Sequence, residues 1–274
     1  MTTAQKVIKY LANAFAIFLI ITIIYSILIA GYNLIKSFGL VNKKQEEIPT
    51  ELKVISNEVI DIKTLKIDLE TTSLEIKTND VFKVETNNSE ISFLNNDGNV
   101  KIKEKHQNLL NSKSTNTLII YIPKDIEILD ETEINTGAGD VKISKLNTKE
   151  LKLELGAGSL NINNLKVTQK AKINGGVGET NLESCEINNL IADLGMGEFK
   201  LKGKITGKNK INSGVGDINI KIIDDKNNYT VDISKGVGKT TIDGKEIQKD
   251  GVYGEGENLL DINGGVGKIE IEFN

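Results

Sequence analysis

The chain has 274 residues, a net charge of −4 and 34 basic residues, all of them lysine, with aromatics at only 5%. A mildly acidic surface without arginine and with few stacking platforms excludes a nucleic-acid binder. A single cysteine (Cys185) and a single histidine (His106) exclude an internal disulfide, a Cys/His zinc site and a Cys–His–acid triad.

The first element in chain order is apolar. Between Lys9 and Lys36 runs YLANAFAIFLIITIIYSILIAGYNLI, without one charge. At ~1.5 Å rise per residue a helix of this length crosses a hydrocarbon core of about 30 Å. No small-x-small cleavage site accompanies it, so residues 1–38 are expected to be an uncleaved single-pass anchor at the cell membrane. The flanking lysines (Lys6 and Lys9 against Lys36, Lys43 and Lys44) slightly favour a cytoplasmic C-terminal part. A very short N-terminal tail before one anchor is nevertheless a common route to export, and the expectation is an extracytoplasmic domain. Residues 39–52 (GLVNKKQEEIPTEL) read as a polar tether.

Residues 53–133 alternate apolar and polar residues, as in TLKIDLETTSLEIKTNDVFKVE, which predicts strands. Asp97-Gly98 within NNDGN predicts a hairpin turn. The segment is expected to form irregular opening coils that cap the N-terminal end of a stack.

Residues 134–274 carry a repeat. Gly-x-Gly occurs at Gly137 and Gly139, Gly156 and Gly158, Gly176 and Gly178, Gly195 and Gly197, Gly214 and Gly216, Gly236 and Gly238, and Gly265 and Gly267. The period is 19 or 20 residues and widens at the last two steps. Aligned on the first glycine, Val141, Leu160, Thr180, Phe199, Ile218, Thr240 and Ile269 share one position. Ile143, Ile162, Leu182, Leu201, Ile220, Ile242 and Ile271 share another. Ile134, Leu153, Ile173, Ala192, Ile211, Ile233 and Ile262 precede the turn. Two-residue spacing on both sides of a glycine turn predicts an all-β fold. It is a single-stranded β-solenoid of stacked coils with two short strands per coil, preceded by the one transmembrane helix. The residue between the glycines (Ala138, Ala157, Val177, Met196, Val215, Val237, Val266) is always apolar and is expected to point into the core. Both glycines are expected to take backbone angles forbidden to a Cβ. DGKEIQKDGVYGEGE reads as a hairpin-like insertion near the C-terminal cap.

Several motifs invite chemistry. GVGKTT (Gly236–Thr241) ends like a phosphate loop, but Ile233 stands where the first glycine belongs and a strand comes next in place of a helix, so no nucleotide is expected. NGGVGETNLE resembles a calcium nonapeptide, yet Thr180 and its apolar equivalents occupy the aspartate position, so no metal or other cofactor is expected. Asp140, Glu179, Glu198 and Asp217 share the position after the second glycine and stack into an acidic column. Solvated turn exits explain such a column more simply than cation binding does. Cys185 aligns with Leu146 and Leu165 as a core position. Acids without neighbouring aromatic platforms do not make a polysaccharide-cleaving groove.

The run LIIYIPKDIEILDETEINTGAGDVKI, then GAGSLNI and GVGETNL, resembles the bacterial β-strand-repeat family of unknown function labelled "putative adhesin", over residues 55 to 274. The resemblance implies a membrane-linked envelope component and supplies no catalytic residues. The expected function is therefore that of a binding or scaffold module without catalysis, its ligand a protein or a cell-wall polymer. A regulatory membrane scaffold in an envelope-stress response is the alternative, and a polysaccharide-active enzyme a weaker third.

Overall fold

The computed structural model describes residues 51–58, 61–105 and 116–274. The expected anchor (1–38), most of the tether and His106 lie outside the described residues. Thr50–Asn274 is one compact unit, and its 23 strands join in one continuous sheet wound on itself. Alternation decides which side chains go in. Val141, Leu160, Phe199, Ile218 and Ile269 are almost completely buried, as are Ile134, Leu153, Ile173, Ile211 and Ile262. Each strand pairs in register with its equivalent one coil away, such as Leu153↔Ile173 and Leu160↔Val141. Like side chains thus stack about 4.8 Å apart, and no coil completes its core alone.

Each coil has three faces rather than the two expected. After the glycine turn comes a short strand such as Leu160–Asn163, then a corner, then the long strand Leu165–Val177. The register of that strand against Leu146–Ala157 shifts between Thr148 and Glu150, dividing it into two faces. The third face pairs Leu146–Thr148 with Leu165–Val167, and Lys166 and Val167 with Glu186 and Ile187. Its corners are turned without a glycine doublet: Asn164, Ser184 and Asn189 take φ of 51°, 56° and 56°. Asparagine tolerates this left-handed region through local side-chain hydrogen bonds. Asn164 Nδ2 donates to Ser144 O and Asn189 Nδ2 to Gln169 O, each one coil below.

The two glycines of a turn do different work. The second (Gly139, Gly158, Gly178, Gly197, Gly216, Gly238 or Gly267) has φ between +132° and +153° in all seven repeats, as expected. The first has no positive φ at Gly137, Gly156, Gly176, Gly195, Gly214 and Gly265, which corrects the expectation for the pair. It is glycine because of close approach: a Cβ on Gly176 would overlap the carbonyl oxygen of Gly156, and one on Gly195 that of Gly176. Gly236 and Gly238, with φ of +62° and +150°, are the exception in which both glycines take the left-handed side. Their turn lies in the terminal layer, where a Cβ on Gly238 would also overlap the carbonyl oxygen of Gly267. The residue between the glycines points outward, also against expectation. Val177, Val215, Val266 and Val237 are 37%, 36%, 45% and 68% exposed.

Spatial order departs from chain order at both ends. Thr64–Leu69 and Ser73–Asn79 form a regular coil that stacks directly on Leu129–Ala138 and Val141–Ile143, with Glu70 and Thr72 standing where later coils have glycine. Residues 82–104 and Thr117–Pro123 lie beyond it as the N-terminal cap. That cap includes the hairpin Ile91–Asn96/Asn99–Glu104, turned at Asp97 (φ 51°) and Gly98 (φ 84°). At the other end, Asn258–Asn263 and Ile269–Phe273, the last coil in sequence, slide between Lys208–Val215/Ile218–Ile222 and Tyr229–Ser234/Thr240–Ile242. The outermost layer is then closed by antiparallel strands, Gly251–Tyr253 on Val231–Ile233 and Lys245–Glu246 on Thr241–Ile242. These antiparallel strands cover edges to which another coil would otherwise add.

Gly216→Val should cost about 4 kcal/mol or more, because it adds a Cβ at φ +143° against the carbonyl of Gly197. Lys142→Ala, on an exposed outer position, should stay within about 0.5 kcal/mol. Thermal unfolding of the two variants checks this, and equal small shifts would overturn the shared-turn account.

Candidate functional site

The glycine edge is where the sequence placed its candidate residues, and it is built from backbone outward. Consecutive turns bond to one another: Gly139 N donates to Ala157 O, Gly158 N to Val177 O, Gly178 N to Met196 O, Gly197 N to Val215 O, Gly216 N to Val266 O and Gly267 N to Val237 O. These bonds set the spatial order Ala138, Ala157, Val177, Met196, Val215, Val266, Val237. With a bare glycine on either side of each, the seven side chains stand as a convex apolar ridge along one edge of the stack.

Beside the ridge runs the acidic column, and its carboxylates are committed to neighbouring coils. Asp140 Oδ1 accepts from Ser159 N at 2.9 Å and Ser159 Oγ at 2.7 Å, and Asp217 Oδ1 accepts from Lys268 N at 2.8 Å. Lys200 Nζ bridges Glu198 (2.7 Å) and Glu179 (3.1 Å). Those bonds, to Glu198 first, hold the Lys200 ammonium above the usual lysine range. Among the described residues no three Asp, Glu, His or Cys side chains converge as a metal site. The column acts as a coil-to-coil fastener that gives way to Lys268 and Lys239 at the C-terminal end.

The other candidates resolve structurally. The turn of Gly236 and Gly238 leads through Lys239 into the strand Thr240–Ile242, so the loop meets no helix terminus able to cradle phosphate. Thr180 is buried at the position a calcium aspartate would need. Phe199 and Tyr229 are core residues, and Phe273 packs on Tyr229 with ring centroids 5.3 Å apart, so these rings form no sugar platform. The Tyr229 hydroxyl donates to Ile205 O at 2.9 Å, and burial pushes its ionisation upward. Cys185 is buried at the corner opposite Gly203, and desolvation pushes its thiol up to about 12.

One polar centre escaped sequence reasoning. Glu104, only 8% exposed, ends the outer hairpin strand with its carboxylate under the glycine-free turn Glu70–Thr72. Oε2 accepts from the backbone N–H of Glu70 (2.7 Å), Thr71 (3.1 Å) and Thr72 (3.2 Å). Oε1 accepts from Thr72 Oγ1 (2.9 Å) and Asn88 Nδ2 (2.8 Å). Three consecutive amides converging on one anion form a nest. Here the anion is the chain's own side chain, standing where another coil would place a carbonyl. A single glutamate at the end of an alternating strand carries no local signal of this role.

Replacing Glu104 with alanine removes this shared buried acceptor and should cost about 3 kcal/mol, roughly 6–12 °C in melting temperature, with Glu104→Gln recovering part of the loss. Cys185 should resist iodoacetamide in the native protein and alkylate readily in urea, as mass spectrometry would show. Rapid native labelling would contradict its burial.

A search of curated proteins finds no match. Among solved structures, the described fold is similar to a "putative cell adhesion protein" from Clostridium sporogenes ATCC 15579, at 20% identity, covering 82% of this chain and 98% of that one with a TM-score of 0.41. It is also similar to a "putative adhesin" from Bacteroides fragilis NCTC 9343 (13% identity, 81% and 97% coverage, TM-score 0.30). A "putative lipid binding protein" from Parabacteroides distasonis ATCC 8503 matches at 14% identity, 80% and 96% coverage and TM-score 0.39. The Toastrack DUF4097 family model matches residues 55–271, nearly the whole described stack, and the chain belongs to that family.

Proposed function

We propose that the protein is a membrane-anchored binding or scaffold module of the bacterial cell envelope, displaying its β-solenoid on the extracytoplasmic side. The observation that carries this reading is the ridge from Ala138 to Val237. Apolar side chains stand aligned along one edge there, exposed at Val177, Val215, Val266 and Val237 and half-buried at Ala138, Ala157 and Met196, on a stack whose coil-to-coil bonds hold them rigid. Rigid, repetitive edges of this kind suit extended contact with a protein or a wall polymer. The charge-free run between Lys9 and Lys36 supplies the anchor, and Lys36–Leu52 is long enough to let the stack stand off the bilayer. Catalysis forms no part of this reading, because the carboxylates beside the ridge are bonded to neighbouring coils.

The experiment is topological: an epitope placed after Asn274, with intact cells treated with protease after wall removal. Digestion of the epitope is the expected outcome. Protection relieved only by lysis would remove the envelope-display reading and leave a cytoplasmic membrane scaffold, docked to a regulatory partner, in its place.

A further inference from the structure

The ridge and its flanking column change character together toward the C-terminal end of the stack. Ala138 and Ala157 give way to Val177, Met196, Val215, Val266 and Val237, with exposure rising to 45% and 68% at the last two. In the same spatial order the flanking residues are Asp140, Ser159, Glu179, Glu198, Asp217, Lys268 and Lys239. Their order is set by main-chain bonds to successive carbonyls, as in Thr180 N to Glu198 O, Phe199 N to Asp217 O, Ile218 N to Lys268 O and Ile269 N to Lys239 O. The sign of the charge therefore reverses between Asp217 and Lys268, at the rung where Val215 meets Val266.

A linear pattern that is acidic on one side of a point and basic on the other is complementary to itself when turned end for end. We propose that this edge is a self-association surface, through which a second copy of the chain docks antiparallel about a two-fold axis between Val215 and Val266. In that register Val215 packs on the partner's Val266 and Met196 on the partner's Val237. Asp217 faces the partner's Lys268 and Glu198 the partner's Lys239, and the two-fold repeats each contact. Each apolar side chain thus meets its counterpart rung on rung, with a bare glycine on either side of it along the chain. The four overlapping rungs, about 4.8 Å apart, include the two most exposed of the seven, Val266 and Val237.

A contact of this length buries less than the roughly 1,200 Å² of a standard stable interface, so the dimer is weak and concentration-dependent. Confinement of both copies to one membrane would raise their effective concentration and populate it. An anionic membrane surface is the poorer occupant, since Glu179, Glu198 and Asp217 line the same edge. The inference holds whichever side of a membrane the stack occupies.

The test uses the full-length chain in detergent, mixing isotopically light and heavy copies and cross-linking with a zero-length carbodiimide at rising concentration. Mixed-isotope peptides joining Glu198 to Lys239 are expected; three rungs separate these residues within one copy, too far for a direct intramolecular link. Lys239→Glu should reduce the cross-linked dimer about tenfold by placing like charges opposite one another, and adding Glu198→Lys should restore it. Val237→Asp should abolish the dimer without lowering the melting temperature, because Val237 is exposed. A chain that stays monomeric throughout, a dimer indifferent to both single substitutions, or a Val237-dependent affinity for phosphatidylglycerol vesicles without dimer would each overturn the proposal.

Discussion

Everything in this fold depends on one constraint: equivalent backbones must approach to strand-pairing distance at a corner as well as along a face. On a flat sheet this is routine, because side chains point up and down while the backbone bonds sideways. At a sharp corner the Cβ of one coil is aimed at the carbonyl of the next. The glycine before the corner residue removes that Cβ, and the glycine after it supplies the φ near +145° that redirects the chain. With the corner closed, the amide-to-carbonyl bonds run unbroken from Gly139 to Val237 and keep the apolar columns of all three faces in register. Where the glycines stop, at Glu70–Thr72, the carboxylate of Glu104 accepts from the three successive amides.

How much of this the sequence disclosed depends on how local each feature is. The period near 20 residues and the two-residue alternation are local, so the buried columns through Ile134, Val141 and Ile143 were legible. The corner residue was misplaced for a definite reason. Counting by twos forward from Ile134 puts Ala138 inside, while counting back from Val141 puts it outside, and the second glycine is where the two counts meet. Apolar character tipped the reading inward; geometry sends the side chain out. The third face was hidden because three residues are too few to show a period, and its corners at Asn164, Ser184 and Asn189 carry no shared signature. The stacking order at the two ends is non-local altogether: nothing in Thr64–Asn79 or Asn258–Phe273 announces which coil will be its neighbour.

Electrostatics act here chiefly between neighbouring coils, through exposed pairs. Lys152 bridges to Glu133 on the coil below, Lys202 to Glu183 and Lys204 to Asp224, so opposite charges repeatedly occupy stacked positions. The Lys152 ammonium beside Glu133 holds that carboxyl below the usual range. Exposed pairs of this kind contribute little each. Like charges also stack in this register, Lys152 beside Lys172 and Lys202 beside Lys221, so the lysine–carboxylate pairs offset repulsion between neighbouring coils. The side-chain amides of Asn212 and Asn263 continue the pattern without charge, Asn212 bonding Asp193 and Asn263 bonding Asn212.

The position of the final coil bears on how the molecule is made. Asn258–Phe273 is a middle layer in space but follows Tyr229–Ile242 in the chain, so Tyr229–Ile242 emerges before the surface it rests on exists. That segment must wait, its apolar face uncovered, until residues 258–273 have emerged and slipped beneath it. A chain cut short near its end therefore lacks an inner layer and leaves Tyr229, Val231 and Ile233 without their seat. A copy lacking residues 258–273 thus exposes apolar surface that the intact stack covers.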